Sequence, residues 1–62
     1  MDKRRIAASE VWIDDQCFSN YVVEVEDGIL TDHYPLNGEL PNTIWAKKVR
    51  IKDNRLSDIE NR

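Results

Sequence analysis

The most constraining stretch of this chain is Tyr21-Val22-Val23-Glu24-Val25-Glu26-Asp27-Gly28-Ile29-Leu30. On an extended backbone Tyr21, Val23 and Val25 share one face, while Glu24 and Glu26 share the other. That period of two marks a half-buried strand, and β-branched valines suit a pleated surface. Asp27-Gly28 follows directly, and Asp-Gly accepts the positive φ angles of a two-residue hairpin turn. Ile29 and Leu30 then open another extended run. The chain is therefore expected to reverse at Asp27-Gly28 and to pair the flanking runs antiparallel.

Turn residues punctuate the rest of the chain at Asp14-Asp15-Gln16, and from Pro35-Leu36-Asn37-Gly38 to Pro41-Asn42. They leave four segments of strand length. In the first, Arg5 to Ile13, Ile6 and Ala8 share a face but Val11 and Ile13 fall on the other, so a bulge is expected near Ser9-Glu10. The second runs from Phe18 to Glu26, with Val22 on its polar face, which points to a cover over one end of that face. The third, Ile29 to Leu36, sets Leu30, Tyr34 and Leu36 against Ile29, Thr31 and His33, and Pro35 ends it or places it at an edge. The fourth, Thr43 to Lys52, carries Ile44, Val49 and Ile51, with Lys48, Arg50 and Lys52 opposite the last two. In the tail, 54–62, Leu56 and Ile59 have a helical spacing, which predicts one short helix or disorder. No window holds the sustained i, i+3, i+4, i+7 pattern of an amphipathic helix. The expected fold is all-β. A single domain over residues 1–62 has its ordered body at about 4–53, an antiparallel or mixed sheet of about four strands, as a twisted sandwich or half-barrel.

A chain of 62 residues supplies a thin core. Chains this short gain stability from disulfides, metals or association, and Cys17 is the single cysteine. Association, with itself or with another protein, is the expected route. The formal net charge of −3 argues against non-specific binding to nucleic acid or to an anionic membrane. No apolar run approaches the ~18 residues of a membrane span, and no apolar stretch follows the charged amino terminus. With a lone cysteine, the expected compartment is the cytoplasm.

Chemistry-bearing residues are sparse. His33 is the one histidine; Asp32 beside it points to the opposite face of a strand, so the pair does not converge. Cys17 follows Asp14, Asp15 and Gln16, acidic company that disfavours a thiolate, and is expected to be a small semi-buried residue. Glu24 and Glu26 share a face, as an acid/base pair would, but they read as a solvated face or as partners of the Lys48, Arg50, Lys52 row. Gly28 and Gly38 stand alone, so there is no phosphate-cradling loop, and the acidic residues lack EF-hand spacing. No catalytic residue, metal site or cofactor is expected, and no enzyme. The aromatics are the residues in surplus. Trp12, Tyr34 and Trp45 form the candidate interaction surface, because a small core has difficulty burying both tryptophans.

Ile6-Ala7-Ala8-Ser9-Glu10-Val11-Trp12, a polar turn, and then Tyr21 through Glu26-Asp27-Gly28-Ile29-Leu30 resemble the opening of amidohydrolase-superfamily metal-dependent hydrolases. The resemblance covers about the first half of the chain. It implies the small β-domain that flanks the catalytic barrel in that superfamily, built there from both chain ends. The metal-binding His-x-His of the family is missing: Pro41-Asn42-Thr43-Ile44-Trp45 stands in its place. No metal ligand carries over to any residue here.

Three functions follow as expectations. The first is a non-catalytic β-sheet interaction or structural module, pairing with itself or another protein through an open edge or a Trp/Tyr face. The second is an accessory β-domain subunit for an amidohydrolase-like enzyme. The third is a small nucleic-acid-binding barrel using the Lys47 to Lys52 strand, which the net charge disfavours. No small-molecule ligand and no membrane partner is expected.

Overall fold

In the computed structural model, which describes residues 3–38 and 41–61, Asp27 and Gly28 take φ values of 54° and 81°. Both central residues of the turn are thus left-handed, the type I′ geometry that matches the twist of the strands it joins. That turn connects β2 (Gln16–Glu26) to β3 (Ile29–Pro35). Before them runs β1 (Lys3–Ile13), and after them come β4 (Ile44–Lys52) and β5 (Arg55–Glu60). The five strands close into one barrel in the order β1-β2-β3-β5-β4. Four of its ladders are antiparallel and the β1–β4 ladder is parallel.

The all-β expectation holds, but strand number and tail do not. Residues 55–60 form a strand rather than a helix or a disordered tail. Two signals hid it. The β4–β5 turn is Asp53-Asn54, with φ of 52° and 62°, a type I′ pair without glycine. A register shift between Arg50 and Ile51 then lets Leu56 and Ile59 both pack on the core, so a bulged strand mimics the helical spacing of three.

The same spacing recurs around the barrel. Ala8 and Val11 on β1, Phe18 and Tyr21 on β2, and Ala46 and Val49 on β4 all pack on the interior. The face switch on β1 falls at Ser9-Glu10 as expected, but without an extra residue. The β1–β2 register is unshifted, because β2 switches opposite it at Asn20, whose φ is 50°. On β3 a register shift between Glu24 and Val25 of its partner strand moves the faces. Leu30 then sits opposite Val25 and Tyr34 opposite Val22, so Leu30 and Tyr34 do not share the face expected of them.

The interior is apolar: Ile6, Val11, Val23 and Val49 are fully buried, joined by Ala8, Tyr21, Val25 and Ile51. A second small packed layer lies outside. Ala7 and Val22 are cross-strand partners on the outer face, yet both are completely buried. Leu36 N–H donates to Asn20 O at 2.9 Å, which continues the β2–β3 ladder by one residue, and Arg5 Nη1 donates to Pro41 O at 3.2 Å. Val22, on the outer face of β2, is buried as its apolar side chain anticipated.

Candidate functional site

Closing five strands removes most strand edges, so the remaining ones identify where a partner can bind. Among the described strands, unpaired sides remain on β1 before Ile6, on β2 before Asn20 and on β5 past Leu56, and two more lie on β3 and β4. These last two are chemically unlike.

The first is the outer side of β3. It meets β5 through one pair, Ile29 with Arg55, flanked by Leu30 N–H to Asn54 O at 2.7 Å and Leu56 N–H to Gly28 O at 2.8 Å. Past that point β3 has β2 alone. Because Leu36 N–H points to β2, alternation turns the amides of Tyr34 and Asp32 the same way and those of His33 and Pro35 outward. Proline has no N–H, and the His33 amide donates to the side-chain Oδ1 of Asp32 at 2.8 Å. Both outward donors are therefore cancelled, and this edge is blunt.

The second is the first half of β4. Its ladder with β1 begins at Ile44, but its ladder with β5 begins only at Lys48, opposite Glu60. From Ile44 to Lys47 one side of the strand has no described partner. No proline interrupts it. Of the three large hydrophobics exposed on the described surface, Ile44 at 41% and Trp45 at 54% are both here. The third, Ile29, sits at the β3–β5 closure.

Of the three aromatics expected to form one surface, Trp45 is well exposed, while Trp12 and Tyr34 are half-buried and hydrogen-bonded. Tyr34, Val22, Ala7 and Trp45 are successive cross-strand partners over β3, β2, β1 and β4. Tyr34 and Trp45 therefore flank the packed Val22–Ala7 pair instead of forming a patch. Tyr34 Oη donates to Glu24 Oε2 at 2.5 Å, and Arg5 Nε donates to the same oxygen at 3.3 Å. The tyrosine's hydrogen bond, followed by the attraction of Arg5, holds the Glu24 carboxyl below its ordinary value. The Tyr34 phenol is pushed up, first by that hydrogen bond and then by burial. Trp12 lies further along β1, beside Arg50 and Cys17. Its Nε1–H donates to Glu10, which is also 3.7 Å from Lys48 Nζ. That indole bond is the main cause of a lowered Glu10 carboxyl, with Lys48 adding to it.

Glu24 thus pairs with Arg5 on β1, not with the Lys48, Arg50, Lys52 row, and Lys48 pairs with Glu10. His33 Nδ1 shares a 2.8 Å hydrogen bond with Tyr21 Oη, beside the stacked rings of Phe18 and Tyr21 at 4.4 Å. The carboxylate of Asp32 meets the backbone of His33, not a ring nitrogen. Cys17 is exposed rather than semi-buried, because it lies opposite Trp12 on the outer face. An open depression beside Trp12 is lined by Asp14, Asp15, Arg50, Lys52 and Ser57, which mixes both signs of charge. Among the described residues no three His, Cys, Asp or Glu side chains gather to hold a metal, and no helix is long and apolar enough to cross a membrane.

The β4 edge escaped sequence reasoning because it depends on where β5 stops. Its one readable trace is Ile44-Trp45, two large apolar residues side by side where strand alternation expects one. No family model, curated protein or solved structure matches the chain. These comparisons give no link to the amidohydrolase β-domain.

Proposed function

We propose that this chain is a non-catalytic interaction module that engages a protein partner by strand addition at the Ile44–Lys47 edge of β4. One observation carries the reading: the half-strand left unpaired by β5 is the same one that exposes Ile44 and Trp45. Strand addition draws affinity from main-chain hydrogen bonds and specificity from alternate side chains, and this edge offers both. Trp45 supplies the large apolar contact typical of interface anchors.

Amide hydrogen exchange on dilute protein tests this. The outward-facing amides within 44–47 are expected to exchange much faster than those of Val49 and Ile51, which lie between two strands. Equal protection of both halves of β4 in dilute solution would show that the edge is already occupied, and would end the proposal.

A further inference from the structure

We infer that the occupant of the β4 edge is a second copy of this chain, paired antiparallel about a two-fold axis at Trp45. This rests on the edge reading above and names its partner.

The register follows from geometry. A two-fold axis through a continuous sheet keeps the outer faces of both copies on one side, so directly opposed residues must share parity. The strand must also clear β5, whose pairing with β4 starts at Lys48. Centring the axis on Trp45 meets both conditions using residues 43–47 alone. Ile44 then lies opposite Ala46 of the second copy, Trp45 opposite its counterpart, and Lys47 opposite Thr43.

Each pairing is chemically matched. Ile44 shares the face of Ile6, and Ala46 packs on the core, so their opposition extends the apolar interior across the junction. The two Trp45 rings cover each other on the outer face, where one alone is 54% exposed. Although the chain carries a net charge of −3, residues 43–47 hold no carboxylate and one ammonium, that of Lys47. No like charges are opposed in this register, and the one ammonium of each copy faces a hydroxyl. β3 cannot compete for the same role, since its outward donors at His33 and Pro35 are cancelled. Five residues per copy bury far less than the ~800 Å² per partner of a standard interface, so the dimer is weak and exchanges rapidly.

Sedimentation velocity across a dilution series tests the inference on the full chain. The wild type is expected to shift from monomer toward dimer as concentration rises. Trp45→Glu, which sets two carboxylates face to face, should weaken association by at least about tenfold while leaving the far-ultraviolet circular dichroism of the barrel unchanged. Trp45→Phe should retain most of it. A wild type that stays monomeric at its highest soluble concentration, or a Trp45→Glu variant that dimerises as well as the wild type, overturns the second-copy inference. Rapid exchange of the 44–47 amides in the monomeric sample would leave the edge reading standing. Slow exchange there would remove both.

Discussion

Along β1 the barrel is continuous, with long ladders to β2 on one side and β4 on the other, whereas β3 and β5 meet through the single pair Ile29–Arg55. The fully buried residues follow that division: Ile6, Ala7 and Val11 on β1, Val22, Val23 and Val25 on β2, Val49 and Ile51 on β4, and none on the described part of β3 or β5. Leu30, Leu56 and Ile59 reach the core only part-buried. The β1 flank therefore carries most of the buried core, while exposed main chain remains on both flanks. The free stretches of β3 and β4 differ in turn, β3 being capped by Asp32 and Pro35 and the start of β4 left apolar and bare.

Core truncation gives the largest expected contrast. Ile6→Ala should cost about 2–5 kcal/mol in denaturant unfolding, because Ile6 is fully buried in the continuous flank. Ile59→Ala, half-buried on β5, should cost clearly less, by about half or more on the scale of apolar area removed. Equal losses would mean that the flanks share the core evenly.

A smaller effect is expected at the Tyr34–Glu24–Arg5 cluster, which pins β3 to β2 and β1. Tyr34→Phe should cost about 0.5–1.5 kcal/mol and let the Glu24 carboxyl rise toward its ordinary value of 4.5. The sign follows from linkage. A carboxyl lowered in the folded state stabilises fully above its unfolded value, and that contribution is lost as pH falls below about 4.5 through the folded value. The raised Tyr34 phenol acts in the other direction, its contribution being lost as pH climbs above 10.0. Glu24→Gln should flatten the acid limb of stability against pH, and an unchanged limb would contradict this assignment.

The smallest expected effect bears on the blunt edge. Asp32→Ala frees the outward His33 amide and should change stability by no more than about 1 kcal/mol, since the bond is exposed. Introduced into Trp45→Glu, it should restore some association, now through β3. If the double variant stays monomeric, the Asp32 cap is not what keeps β3 unpaired.

Much of this fold was legible in the residues, for reasons that also mark where legibility stopped. Tyr21 to Leu30 combines period-two alternation with an Asp-Gly turn, two local signals that agree, and the hairpin stands where they place it. The Ser9-Glu10 face switch was visible for the same reason. β5 was not, because its bulge gives Leu56 and Ile59 a spacing of three and its turn is Asp53-Asn54 rather than Asp-Gly. The site was less legible still. Trp45 stood out as an aromatic that a small core has difficulty burying, but Trp12 and Tyr34 matched that description equally. Only the register of β5 against β4, a long-range property, separates the exposed residue from the two that are hydrogen-bonded.

The central claim is that the open β4 edge, and not the β3 edge, receives a partner strand. Residue-resolved amide exchange at low and high protein concentration tests it most directly. The account predicts that rising concentration slows exchange within 44–47 and leaves 31–35 unchanged. Slowing confined to 31–35, or no slowing at either stretch in a sample that sediments as a dimer, would contradict it.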